Sequence, residues 1–98
     1  MKNLIMAGTI PITIFKEKNM FVAYSPVLDF SSCGKTLKEA QKMFSEALEI
    51  FIEELEKAGT LESVLLGLGW EKSDKKMIPP QYISTESFSL SSRSLVLA

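Results

Sequence analysis

The 98-residue chain contains no histidine and only one cysteine, Cys33. Without an imidazole, catalysis by a Ser–His or a Cys–His pair is excluded, and a zinc site would depend on one thiolate and on carboxylates. A single thiol cannot form an intrachain disulfide, which is typical of a reducing, cytoplasmic setting. These absences favour a binding protein over an enzyme, and we expect no cofactor and no metal.

The chain also lacks a strong net charge and a long apolar run. Eleven basic and twelve acidic side chains give a formal net charge of -1, so no overall positive field would hold a nucleic-acid backbone. The N-terminal segment MKNLIMAGTIPITIF is interrupted by Gly8, Thr9 and Pro11, and it falls short of the roughly 20 apolar residues of a membrane span. We therefore expect one cytoplasmic domain with no membrane segment.

Alternating apolar and polar residues predict three short strands near the N-terminus. The first covers residues 9–16, the second covers 20–25, and the third covers 30–33 and is closed by Gly34. Between the first two strands, the polar turn KEKN places Asn19 where a left-handed conformation is favourable. The first two strands therefore form a hairpin.

A long helix follows the third strand. Thr36 and Glu39 form a capping-box pattern, in which the Thr36 hydroxyl accepts the Glu39 amide and the Glu39 carboxylate reaches back to the Thr36 amide. Gly59 is a natural end for this helix. An apolar stripe at three- and four-residue spacing would pack on the sheet. Its members are Ala40, Phe44, Ala47, Leu48, Phe51 and Leu55.

The sequence thus predicts an α+β fold, a small antiparallel sheet in the order β-β-β-α-β with one long helix packed on it. A short helix follows Gly59, and Trp70 leads into the brief final strand. We assign residues 1–80 to this domain and residues 81–98 to a C-terminal tail. The tail is rich in serine and has no helical stripe, so it is an added strand, an arm that grips another subunit, or a disordered segment.

Two stretches resemble the HicB-like antitoxins of bacterial and archaeal toxin–antitoxin pairs. The first is IPITIFKEKNMFVAYSPVLDFSSCGKTLKEAQKMFSEALEIFIEEL, whose most specific part is FVAYSPVLDFSSCGKTLKEA. The second is LLGLGW followed downstream by IPP. The family has a YVAY-like strand, a P.L loop and a C..G.T..EA passage before a long helix, and the resemblance covers residues 10–80. It implies a partial RNase H-like fold without nuclease carboxylates. It also implies an antitoxin that binds and neutralises a small, basic, mRNA-cleaving HicA-type toxin.

The chain departs from the fuller members of that family at its C-terminal end. Those members carry a DNA-binding domain that recognises the operator, whereas fewer than twenty residues follow Pro80 here. We therefore do not expect direct DNA binding. The alternative is a stand-alone HicB-like protein without a toxin partner or catalysis, which forms a homodimer or a higher homo-oligomer. A hydrolase would gain support only from three or more carboxylates that cluster in space.

Candidate partner contacts fall into an acidic group and an apolar group. Acidic residues on the long helix would attract a basic toxin and compete with its RNA. Aromatic residues at the end of the domain and in the tail are candidate apolar contacts, although the tryptophan also fits a lid over the core. The candidates are Glu46, Glu49, Glu53, Trp70, Tyr82 and Phe88.

Two further residues invite a chemical role but favour a structural one. Cys33 has only Lys35 nearby in sequence to lower the pKa of its thiol, so we predict a small buried thiol and not a nucleophile. Asp29 follows the second strand, and we predict that it accepts hydrogen bonds from the amides of its own loop as an Asx turn.

Overall fold

The computed structural model describes residues 5–90, so residues 91–98 of the predicted tail lie outside the described part of the chain. Six strands and two helices follow one another within this range. They are β1 (Ile5–Met6), β2 (Thr13–Glu17), β3 (Met20–Ser25), β4 (Phe30–Gly34), α1 (Leu37–Ala58), α2 (Leu61–Gly67), β5 (Glu71–Ser73) and β6 (Lys76–Ile78). The protein is a small α+β fold, as predicted, but with more strands than expected.

The predicted hairpin and third strand form an antiparallel sheet in the order β2-β3-β4. In its register Ile14 lies opposite Ala23, which lies opposite Ser32. β2 begins at Thr13, four residues later than predicted. The turn to β3 places Lys18 in the left-handed region, with φ of 56°, so the prediction of Asn19 for that position is wrong.

Helix α1 has the predicted cap in a modified form. The Thr36 hydroxyl accepts a hydrogen bond from the Glu39 amide at 3.0 Å. The Glu39 carboxylate accepts the amide of Lys35 at 2.9 Å and not, as predicted, that of Thr36. The helix ends at Gly59, whose φ of 71° allows its N–H to donate to the Glu56 carbonyl. No helix within residues 5–90 is long and apolar enough to cross a bilayer.

A second sheet, in the order β1-β6-β5, was not predicted. β1 pairs in parallel with β6, and the Ala7 amide extends this pairing by donating to the Met77 carbonyl at 3.0 Å. β5 and β6 form a hairpin whose turn contains Asp74 with φ of 59°. The predicted single final strand is therefore two strands, and the N-terminal segment adds a third.

The core consists of two clusters that share Phe30 and Leu48. The ring of Phe30 lies 5.7 Å from that of Phe44 and stacks at 4.8 Å on that of Phe51. One cluster fills the space between α1 and the β2-β3-β4 sheet with Ala23, Ala40 and Phe44. The other joins the 26–29 loop to α2 and the second sheet with Val27, Leu28, Leu61, Leu65, Trp70 and Met77.

Ser25 is fully buried, and its hydroxyl has no hydrogen-bond partner in the described structure. A buried hydroxyl without a partner loses its hydration and gains nothing in return, at a cost of about 1–3 kcal/mol. We expect Ser25→Ala to raise the free energy of unfolding by about 1 kcal/mol, measured by urea denaturation followed by circular dichroism. Ser31→Ala, at an exposed position of β4, is the control and should change it little. A loss of stability in Ser25→Ala would contradict this account.

Candidate partner interface

The three acidic candidates lie together on the outer side of α1. Glu46, Glu49 and Glu53 are all exposed, and their spacing of three and four residues places them on one face of the helix. Phe44 and Ala40, which pack on the sheet, lie on the opposite side. The three carboxylates span about 10 Å along the helix axis. The structure therefore brings this part of the predicted surface together.

Among residues 5–90 these carboxylates form no ion pair. Lys42 and Lys57 each lie four residues from a member of the group, but the ion pair that the described residues form is on α2 and β5, where Lys72 and Glu62 approach to 3.0 Å. Exposed Met43 and Ile50 border the acidic face on one side. The outer side of α1 therefore combines free negative charge with an apolar margin, which suits a partner that is basic and partly apolar.

Trp70 lies away from this surface, in the core. Its side chain is 3% exposed and packs with Leu65 and Met77. Its indole N–H donates to the Val27 carbonyl at 2.8 Å. This placement agrees with the alternative of a lid over the core, and it leaves Trp70 no surface to offer a partner in this conformation.

The two tail candidates lie in residues 81–90, after the last strand. Tyr82 lines a groove of about 700 Å³ between the segment after β1 and the segment after β6. Pro11, Pro79 and Pro80 give this groove much of its apolar wall. Phe88 is 90% exposed, and residues 81–90 contain no helix or strand. The described tail is therefore an exposed segment without helix or strand.

Cys33 is exposed, so the prediction of a buried thiol is wrong. The register explains the difference, since Cys33 lies opposite Val22, which lies opposite Phe15, on the face of the sheet that α1 does not cover. The buried residue of this passage is Gly34, which lies against the first turn of α1. The sequence predicted a buried cysteine, whereas the neighbouring glycine is the buried residue.

Asp29 accepts a hydrogen bond from the Tyr24 hydroxyl at 3.0 Å, so the prediction that its partners are the amides of its own loop is wrong. This hydrogen bond is the main cause that raises the pKa of Tyr24 above its usual 10.0, followed by burial, the charge of Asp29 and the nearby Tyr82. The protonated phenol is the donor. The stability gained from the bond is therefore present below pH 10 and is lost as pH rises through the raised pKa of Tyr24.

Residues 5–90 contain no group of three or more Cys, Asp or Glu side chains arranged to hold a metal ion. The described structure thus adds no observation in favour of the hydrolase alternative. Comparisons of the chain with protein-family models, with curated proteins and with solved structures give no match.

Proposed function

We propose that the chain is a HicB-like antitoxin that binds and neutralises a small, basic, mRNA-cleaving HicA-type toxin. The observation that carries the proposal is the acidic outer face of α1, formed by Glu46, Glu49 and Glu53, whose carboxylates are exposed and unpaired among the described residues. The order of hairpin, third strand and capped helix supports it, because the resemblance to the family rests on that stretch.

The proposed mechanism is competition for a basic surface. A protein that cleaves RNA holds the phosphates with basic side chains. A row of carboxylates about 10 Å long offers the same surface an alternative set of negative charges on a rigid helix. Opposite charges also accelerate the encounter of the two proteins. The apolar margin of Met43 and Ile50 would then hold the docked toxin in place.

The experiment is a capture from native cell extract with the tagged chain, followed by identification of stoichiometric partners. We expect a small basic protein that cleaves mRNA when purified alone and is inactive after addition of one equivalent of the chain. Recovery of the chain alone as a defined oligomer would contradict the antitoxin proposal. It would favour the competing proposal of a stand-alone homo-oligomeric binding protein, for which the exposed apolar tail is the supporting observation.

Charge reversal on α1 tests the role of the acidic face. Glu46→Lys combined with Glu53→Lys should lower the association rate with the captured toxin at least tenfold at low salt, because two attractive pairs become repulsive. Surface plasmon resonance at several salt concentrations measures this, and the deficit should shrink as salt screens the charges. Glu17→Lys combined with Glu71→Lys makes the same change in net charge away from α1 and is the matched control. Equal deficits in both double variants would contradict a specific role for the helix.

A further inference from the structure

The described tail carries apolar side chains that are almost fully exposed among the described residues. Ile83, Phe88 and Leu90 are 85%, 90% and 95% exposed. The radius of gyration is 16.8 Å, whereas a compact domain of this length has about 12–13 Å. The tail therefore projects from the domain as an arm. Exposing three large apolar side chains to water is unfavourable in free energy, and association that buries them would be favourable.

The β2-β3-β4 sheet has a face that is equally unpartnered. α1 covers the side that carries Ala23, and the alternation of side chains sends Phe15, Val22 and Cys33 to the other side in one cross-strand row. Phe15 is 43% exposed. We call this side the open sheet face.

The acidic face of α1 and the open sheet face differ in charge and therefore suit different partners. A basic partner fits the carboxylates of α1, on the other side of the sheet. The open sheet face carries Glu17 at one end, and Asp29 lies beside Tyr24 at the other end. Residues 81–90 carry one charged side chain, Glu86. Both surfaces expose apolar side chains between few charges, so packing one on the other would remove apolar area from water while desolvating few charged groups.

We propose that residues 83–90 of one copy lie across the open sheet face of a second copy, in a reciprocal exchange that forms a two-fold dimer. Exchange between copies, and not folding back, follows from the exposure of Ile83, Phe88 and Leu90, which their own sheet leaves in water. Eight residue steps from Tyr82 to Leu90 reach about 26 Å when extended, which is close to the two shorter extents of the molecule, 31 and 27 Å. Each copy supplies one arm and one open sheet face, so a two-fold axis forms the same contact twice.

Cys33 offers a direct test because it lies on the open sheet face. In purified Phe88→Cys protein, mild oxidation should produce a covalent dimer on a non-reducing gel. Mass spectrometry should find a disulfide between Cys33 of one copy and the cysteine introduced at position 88 of the other. Adding Cys33→Ser should remove that linkage. The same disulfide within one chain would overturn the proposal, because the arm would then cover its own sheet, and so would its complete absence.

A second measurement uses the native thiol without introducing a cysteine. The wild-type chain should elute as a dimer, and its Cys33 should react slowly with a thiol reagent. The triple variant Ile83→Ser, Phe88→Ser and Leu90→Ser should elute as a monomer, with Cys33 reacting at least tenfold faster. A control variant, Leu37→Ser with Leu66→Ser, removes exposed apolar side chains elsewhere and should elute as a dimer with the Cys33 reactivity of the wild type. A dimer that survives the triple variant, or a monomeric wild type, would overturn the proposal. Both measurements use the purified chain alone, so their outcome is independent of the toxin.

Discussion

Replacing Trp70 with Ala is expected to remove most of the stability of the domain. The indole is 3% exposed in the cluster that joins the 26–29 loop, α2 and the second sheet. Truncation of a buried tryptophan costs about 3–5 kcal/mol. It would also leave the Val27 carbonyl without the indole N–H that now donates to it at 2.8 Å, at a further cost of about 1–3 kcal/mol. The total free energy of unfolding of a small domain is about 5–15 kcal/mol. We therefore expect a large unfolded fraction of Trp70→Ala at 25 °C.

Urea denaturation monitored by circular dichroism measures this effect, since the variant lacks the only tryptophan of the chain and its fluorescence. Trp70→Phe keeps a large ring but no N–H donor, so its free energy of unfolding should lie between those of the wild type and Trp70→Ala. Leu66→Ala, on the exposed side of α2, should lose less than about 0.5–1 kcal/mol, as surface changes do. Trp70→Ala with the stability of Leu66→Ala would show that the lid contributes little to the core.

The elements that the sequence predicts correctly are those with a local signal. Thr36 and Gly59 mark the two ends of α1, and the alternation of residues 20–25 marks β3. The missed elements have no such signal. β1 has two residues, and its partner β6 lies some 70 positions away, while β5 is exposed throughout. Only Asp74, a residue type tolerant of the left-handed turn conformation, was a local sign of the hairpin between β5 and β6.

The two candidate surfaces also differ in whether a local sequence signal predicts them. Glu46, Glu49 and Glu53 are foreseeable as an outer face because the apolar stripe of α1 fixes which side is buried. The open sheet face is not foreseeable in the same way. β3 carries apolar residues on both of its faces, and only the position of α1 decides that Ala23 is covered and Val22 is not. The error over Cys33 has this origin.

Adding a single methyl group at Gly34 is expected to be the most disruptive small change in the chain. A Cβ at this position would lie 2.5 Å from the Ala40 amide nitrogen and 2.7 Å from the Glu39 carbonyl carbon. Both are backbone atoms in the first turn of α1, so no side-chain rotation relieves the contact. Overpacking in a core costs about 1–3 kcal/mol when side chains can adjust. Because β4 and the helix start would have to separate, we expect Gly34→Ala to reach or exceed the upper end of that range.

Gly67→Ala is the matched control for Gly34→Ala. Beyond its own helix backbone and its chain neighbours, no atom lies within 4 Å of a Cβ built at Gly67. Alanine is favoured over glycine in a helix interior by about 0.5–1 kcal/mol, and by less at Gly67, the last residue of α2. Urea denaturation should therefore show opposite signs for the two Gly→Ala changes. Equal free energies of unfolding for Gly34→Ala and Gly67→Ala would contradict this expectation. β4 and α1 would then be packed less tightly than the 2.5 Å between a Cβ at Gly34 and the Ala40 nitrogen implies.

The contact at Gly34 also bears on binding, because the first turn of α1 fixes where the acidic face lies relative to the sheet. If Gly34→Ala remains folded, the start of α1 must move away from β4, and the carboxylates of Glu46, Glu49 and Glu53 move with it. A toxin that docks on both the carboxylates and a neighbouring part of the domain should then bind more weakly, and a partner that uses the helix alone should not. The ratio of toxin affinities for Gly34→Ala and Gly67→Ala separates these two cases.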